Sequence, residues 1–228
     1  MKHSGKAIRA GLKLIFWTLV LLGAIIAAGF LAIIVGGFIV TIATSLITVW
    51  ILFALFTLYF FRDPNPLVPT APNVVVSPAH GKVDVIDEVT EPEFMGGECR
   101  RISMFLSVFD VHVQNAPVGG KIVHLKHHAG EFLNAIKTES AVHNENVLLG
   151  IESIERAGEK TGVRLIAGMI ARRIVPWVAV GDELVRGERI SLIQFGSRVD
   201  LYLPLKAMIK VQLGDKVVGG QTIMASFD

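Results

Sequence analysis

Ile190-Ser-Leu-Ile-Gln-Phe-Gly-Ser-Arg-Val-Asp-Leu-Tyr-Leu-Pro204 is an alternating apolar run broken by Phe195-Gly196-Ser197. Alternation of this kind reads as a strand with one face in a core. Glycine weakens a strand interior, so Gly196 marks a bulge, a bend or a close backbone approach. A Gly followed by Ser also carries chemistry: the Ser197 hydroxyl can attack the Gly196 carbonyl and turn the amide into an ester. Elimination from that ester leaves an amino-terminal dehydroalanine, which hydrolyses to a pyruvoyl group, a ketone made from the chain itself. An ordinary bulge is the alternative reading of the two residues alone.

A repeat flanks this run. Val180-Gly-Asp-Glu-Leu-Val-Arg-Gly-Glu-Arg-Ile190 matches Leu213-Gly-Asp-Lys-Val-Val-Gly-Gly-Gln-Thr-Ile223 at an offset of 33 residues. Each copy reads as a hairpin, with Gly-Asp at the turn and the second Gly reversing the chain. Two such hairpins predict a small barrel or sandwich like that of biotinyl and lipoyl carriers. Upstream, Val74 to Ile86 reads as strand, turn, strand, and Ile102 to Val113 as a further strand. Only Glu131 to Ala141 and Leu203 to Ile209 suggest short helices. The fold class expected for 73–228 is therefore mainly β (α+β), with duplicated barrel-sandwich-like hairpins.

Ahead of this domain, Leu14 to Phe61 is a 48-residue stretch without Asp, Glu, Lys, Arg or His. One membrane span needs about 20 residues, so the length predicts a transmembrane helical hairpin reversed at Gly36-Gly37. One long helix with an interfacial segment is the alternative, and it would put the soluble part across the membrane. Residues 1–13 carry Lys2, Lys6, Arg9 and Lys13, a basic flank that favours a cytoplasmic amino terminus. Two spans return the rest of the chain to that side, which predicts a catalytic domain on the cytoplasmic face of the cell's inner membrane. A secretory signal has a much shorter apolar region.

The join, 62–72, holds four prolines in Arg62-Asp-Pro-Asn-Pro-Leu-Val-Pro-Thr-Ala-Pro72 and reads as a short stiff tether. Much of the mean hydropathy of +0.56 comes from before Arg62, leaving about 165 residues of ordinary soluble character, enough for one real core. A net charge of +2 gives no footprint for nucleic acid. Cys99 is the only cysteine, which excludes an intramolecular disulfide and a zinc-type cysteine cluster.

Two non-catalytic readings compete. A carrier domain presents a modifiable lysine between its halves, and Lys206 lies between the repeats, but in Pro204-Leu205-Lys206-Ala207 rather than a Met-Lys-Met or Asp-Lys-Ala hairpin. An export adaptor combines an anchor with such hairpins, but it carries coiled-coil arms, and no sustained heptad occurs here.

Several segments, in order, resemble the short, single-domain phosphatidylserine decarboxylases, which mature from proenzymes into pyruvoyl enzymes. They are Phe60-Phe-Arg-Asp-Pro64, Ser77-Pro-Ala-His-Gly-Lys-Val83, Phe105-Leu-Ser-Val-Phe-Asp-Val-His-Val113 leading to Ala116-Pro117, Asn144-Glu-Asn146, Ile166 to Ile174, and Gly187-Glu-Arg-Ile190 running into Phe195 to Pro204. The resemblance implies cleavage between Gly196 and Ser197, with Ser197 becoming the pyruvoyl end of a 32-residue fragment. It implies a covalent pyruvoyl cofactor at Ser197, a Schiff base to phosphatidylserine, loss of CO₂, and release of phosphatidylethanolamine. The electron sink is then the chain's own ketone, with no metal. The implied partners are the lipid substrate, the membrane, and the two fragments as a heterodimer; the sequence leaves a homodimer open.

Acid–base groups are needed to activate Ser197 and to move the proton after decarboxylation. His112 is the first candidate, on a matching segment and with an ordinary pKa near neutrality. His80 departs from the family, which the resemblance gives an Asp in Ser-Pro-Ala-Asp-Gly. Either His80 is itself the base, or His80 and His112 divide the work, or Asp110 substitutes. His124, His127 and His128 match no common metal spacing and read as a wet basic face. Arg172 and Arg173, with Lys160 and Arg164 before them, are candidates for a lipid phosphate or a solvated pair. Phe105, Leu106 and Phe109 are candidates for the lipid entrance or core.

Overall fold

The computed structural model describes residues 6–135, 138–156, 158–169, 173–194 and 196–227. The chain divides into two units, Met1–Thr57 and Leu58–Asp228.

One helix, α1 (Lys6–Phe60), occupies nearly all of the first unit and ends in the second. Its 55 residues correspond to a rod of about 80 Å. The expected reversal at Gly36-Gly37 is absent, and the helix runs through both glycines. Two helical glycines cost about 1 kcal/mol each, and neither Pro nor a polar turn cluster adds to that cost here. The hydroxyls of Thr18, Thr41, Thr44, Ser45, Thr48 and Thr57 bond carbonyls three or four residues back. Those bonds satisfy the polar groups within the helix, as an apolar solvent requires. Large apolar side chains from Leu12 to Phe53 are exposed, and Leu12–Phe60 is long and apolar enough to cross a membrane.

The second unit is almost entirely β. Its strands are β1 (Val74–Val76), β2 (Gly81–Glu91), β3 (Gly97–Leu106), β4 (Val113–Asn115), β5 (Gly120–His128), β6 (Asn146–Ser153) and β7 (Lys160–Ala167). They are followed by β8 (Ile174–Pro176), β9 (Glu183–Leu184), β10 (Arg189–Ile193), β11 (Ser197–Leu203), β12 (Met208–Ile209), β13 (Lys216–Val217) and β14 (Ile223–Ser226). Eight form one sheet in the order β13-β2-β3-β11-β7-β6-β5-β9, and two three-stranded sheets have the orders β1-β14-β12 and β4-β10-β8. The pairings are antiparallel.

The two repeat copies are not hairpins, because the strands of each copy do not pair with each other. In the first copy β9 caps one edge of the large sheet on β5, while β10 is the centre of a small sheet; in the second, β13 caps the other edge on β2 and β14 is the centre of the other small sheet. The backbone contacts of the copies correspond. Gly181 N–H donates to Ile122 and Gly214 N–H to Val83, both at 2.8 Å, and Gly187 N–H donates to Ala116 and Gly220 N–H to Ser77, both at 2.8 Å. The strands of each copy therefore pair outward with neighbouring strands, while turn bonds such as Glu188 N–H to the Val185 carbonyl and Thr222 N–H to the Val218 carbonyl close the copies locally.

Strand β11 is central. It pairs with β3 over its whole length and with β7 from Ser197 to Tyr202, and all seven of its residues are buried. Val199, Leu201 and Leu203 enter the main apolar core with Ile102, Met104, Leu106, Leu165 and Ile193. Arg198, Asp200 and Tyr202 take the other face by the two-residue period of a strand. There Asp200 accepts from Ser103 Oγ at 2.6 Å and from Tyr202 at 3.3 Å.

Three local expectations are corrected. The run from Ile102 does not continue as a strand to Val113: β3 ends at Leu106, and the Asp110 carboxylate accepts Ser107 N–H and Oγ–H at 2.8 and 2.7 Å, closing a turn. Among the described residues of Glu131 to Ala141 the only helical element is a short 3₁₀ turn, Thr138–Val142. Pro204 to Ala207 is a single turn closed by Ala207 N–H on the Pro204 carbonyl, and Lys206 in it pairs with Glu159 at 3.1 Å.

Candidate active site

Ser197 is the first residue of β11, in register between Leu106 of β3 and Ala167 of β7. Its side chain is fully buried, and its Oγ has no hydrogen-bond partner among the described residues. An unpaired buried hydroxyl costs about 1–3 kcal/mol, which fold stability alone does not explain. Phe195, the third member of the motif, lies outside the described residues.

Gly196 has φ +71°, a left-handed conformation that side chains resist. It turns the Gly196 amide toward His112, and N–H donates to Nε2 at 3.1 Å. The other face of Gly196 meets Gly168. A Cβ at position 168 would lie 2.5 Å from the Gly196 carbonyl oxygen and 3.2 Å from its carbon, so only glycine leaves that carbonyl where it is.

His112 stands between the Asp110 turn and β4, not within a strand. With Nε2 accepting, Nδ1 carries the proton and donates to the Asp110 carbonyl at 3.0 Å. The ring is fully buried against Phe60, with centroids 4.3 Å apart. Burial pushes its pKa down to about 4, reinforced by the Arg62 and His80 charges and opposed by the Asp110 carbonyl and carboxylate. His112 is thus a neutral base at neutral pH, oriented by a main-chain oxygen.

His80 ends the Ser77-Pro78-Ala79 loop between β1 and β2 and is partly buried. A Cβ added to Gly219 would approach its Cδ2 to 3.0 Å, so it packs over that glycine. Burial lowers its pKa; Asp110 raises it, Arg62 lowers it and Asp63 raises it. His80 and His112 therefore share one electrostatic neighbourhood. Asp110 serves it through its backbone oxygen and field, while its carboxylate is held by Ser107.

The sequence reading missed several supports. Arg198, only 1% exposed, makes a double ion pair with Asp84 at 2.7 and 2.6 Å and reaches the Ala135 carbonyl at 3.2 Å, anchoring the residue after Ser197. Asn144 holds Leu133 N–H at 2.8 Å and donates to the Ala167 carbonyl at 2.8 Å, next to Gly168. Phe60, Arg62 and Asn144 lie in segments that carried the resemblance, which was their only signal.

Other candidates fall elsewhere. Arg172 lies outside the described residues. Arg164 and Lys160 lie along β7 away from Ala167, the partner of Ser197; Arg164 stacks over Tyr202 and Lys160 bonds the Phe94 carbonyl. His124 and His128 face Glu93 at 3.5 and 2.9 Å, whereas His127 faces Glu145. Among the described residues no group of three His, Cys, Asp or Glu side chains is arranged to hold a metal. Leu106 is core, Phe105 is partly buried, and Phe109 is exposed beside Arg62.

The family model described as phosphatidylserine decarboxylase matches residues 53–225. A phosphatidylserine decarboxylase proenzyme of Desulfotalea psychrophila is 44% identical over 176 residues, 77% of this chain and 81% of that protein. One of Nitrosomonas europaea is 40% identical over 200 residues, covering 85% of this chain and 91% of its own.

Proposed function

The chain belongs to the phosphatidylserine decarboxylase family and is a decarboxylase, and from that premise we propose that it matures by cutting itself between Gly196 and Ser197 and converts phosphatidylserine to phosphatidylethanolamine and CO₂. The observation that carries the reading is the unpartnered, buried Ser197 Oγ beside a Gly196 backbone held by His112.

In maturation, Ser197 Oγ attacks the Gly196 carbonyl carbon while its proton passes to a neutral imidazole, His112 or His80. The C–N bond breaks, leaving Gly196 esterified to Oγ and a free amine on Ser197. Removal of the Ser197 Cα proton expels Gly196 as a carboxylate and leaves dehydroalanine. Tautomerisation to the imine and addition of one water release ammonia and leave the ketone. The residues fit a pyruvoyl group at 197: a buried start of strand, Arg198 pinned behind it, and a dry wall of Leu106 and Ala167. When formed, the group supplies a ketone that bonds the substrate amine and takes up the electron pair left by CO₂. His112 and His80 are the residues proposed to move protons there.

Cleavage would leave β11 hydrogen-bonded on both edges and buried, which supports a heterodimer of the two fragments that does not separate. For location, we propose the cytoplasmic side of the inner membrane. The support for a membrane site is α1, whose Leu12–Phe60 stretch is long and apolar enough to cross one.

Intact mass of the full-length protein tests the proposal. Two chains, the smaller beginning with a group that resists Edman sequencing, are expected, and Ser197→Ala gives one inactive chain. A single uncleaved chain with decarboxylase activity overturns it.

A further inference from the structure

The proline-rich segment after α1 does not hang free as a tether. Within the second unit it lies as a strap across both repeat copies: Val68 packs on Gly187 of the first and Pro66 on Gly220 of the second. Arg189 pins its start through Asp63 at 2.5 Å and Asn65 at 2.9 Å. Arg186 pins its end through the Pro69 and Ala71 carbonyls at 3.1 and 2.7 Å. The equivalents of Arg186 and Arg189 in the second copy are Gly219 and Thr222, so the clamp belongs to one copy only.

At the head of the strap Arg62 forks, donating to the Tyr59 carbonyl at 2.8 Å and to the Phe109 carbonyl at 2.6 Å. Its guanidinium lies 4.0 Å from the centre of the Tyr59 ring. Phe109 precedes Asp110, whose carbonyl orients His112, while Phe60 covers the His112 ring. Arg62 thus ties the strap to the turn that aims the imidazole at Gly196.

We propose that Arg62 is a positioning residue for self-cleavage: clamped by the strap, it fixes the 107–112 turn that aims His112 at Gly196 and sets a positive charge beside both histidines. The inference rests on the proposed cleavage at Gly196-Ser197. The charged and titratable groups facing His112 are Asp110, Arg62 and His80; those facing His80 are Asp110, Arg62 and Asp63. Arg189 in turn offsets Asp63. Arg62 is therefore the cation common to both histidines, and removing it favours their protonated, non-basic forms.

The test follows cleavage of freshly synthesised full-length chain against pH by gel and mass, for wild type, Arg62→Gln and Arg62→Lys. Arg62→Gln is expected to slow cleavage at neutral pH by about tenfold or more and to move the acid limb of the rate to higher pH. Arg62→Lys keeps the charge but loses the fork, so it slows cleavage while leaving the limb at its wild-type position. A limb that stays put in Arg62→Gln, or moves equally in Arg62→Lys, overturns the positioning role. Asp63→Asn and Arg189→Gln supply independent arms: either is expected to slow cleavage, and wild-type rates in both overturn the clamp. Failure of the wild-type chain to cleave refutes instead the reading on which the inference rests.

Discussion

Gly196 gives its amide hydrogen to Nε2 of His112 across 3.1 Å, so the proposed base is held at the residue proposed to be cut rather than on the Ser197 hydroxyl. The nitrogen so held is two bonds from the carbonyl carbon that Ser197 must reach. With the Gly196 carbonyl packed on Gly168, the acceptor of the reaction is fixed from two sides. The proposed nucleophile, Ser197 Oγ, is left without a hydrogen-bond partner among the described residues.

The protonation of His112 gives the first prediction. Burial sets its pKa at about 4, below the ordinary value, so the neutral base persists as pH falls through 6 and is lost only near 4. Protonation there also removes the acceptor of Gly196 N–H. The cleavage rate should be level from neutrality to about pH 5 and fall below it; a fall centred on about 6.5, the ordinary imidazole value, counts against His112. His112→Ala should slow cleavage by about 10²-fold or more.

Gly168 gives the second. Alanine there puts a methyl 2.5 Å from the Gly196 oxygen, closer than real contacts allow, and the carbonyl must turn away from its neighbours. Misplacement of a reacting group by about 1 Å costs around 10²-fold. Gly168→Ala should accumulate full-length chain with its thermal midpoint little changed; normal cleavage would show that the carbonyl position is not critical.

What was readable in the sequence was what local pattern dictates. The alternation from Ile190 to Pro204 marked a strand, and the paired Gly-Asp segments marked two equivalent units. Their pairing partners were not legible, because a Gly-Asp turn looks the same whether its strands bond to each other or to β5 and β2. His112 was named through the resemblance but given the wrong setting, since the Asp110 bond to Ser107 that ends the strand is a side-chain choice invisible to alternation. The Arg189–Asp63 and Arg62–Phe109 contacts join positions 126 and 47 residues apart, a separation at which spacing carries no signal. At Gly36-Gly37 the sequence pointed to a turn that helix continuity does not need.

Topology gives the third prediction. Cys99 is fully buried and burial raises its thiol pKa, so the native cysteine is a poor label in the folded protein. In a Cys99→Ser background, cysteine at exposed Val185 or Leu213 should be shielded from an impermeant thiol reagent in intact cells and react after lysis. Labelling in intact cells would put the catalytic unit outside.

His80 carries the last prediction, because the family resemblance leads to an acid at this place. A neutral imidazole supplies no fixed negative charge, and burial with Arg62 nearby favours the neutral form. If His80 takes part in processing as a base, His80→Ala should accumulate uncleaved chain while His80→Asp still matures. The aspartate would also set a negative charge beside His112, favouring imidazolium and moving the acid limb of cleavage to higher pH. His112 should differ in remaining necessary for turnover after cleavage is complete, so the two steps are to be measured separately in each variant. Normal cleavage and turnover in His80→Ala would reduce His80 to packing over Gly219, leaving His112 with Asp110 as the working pair.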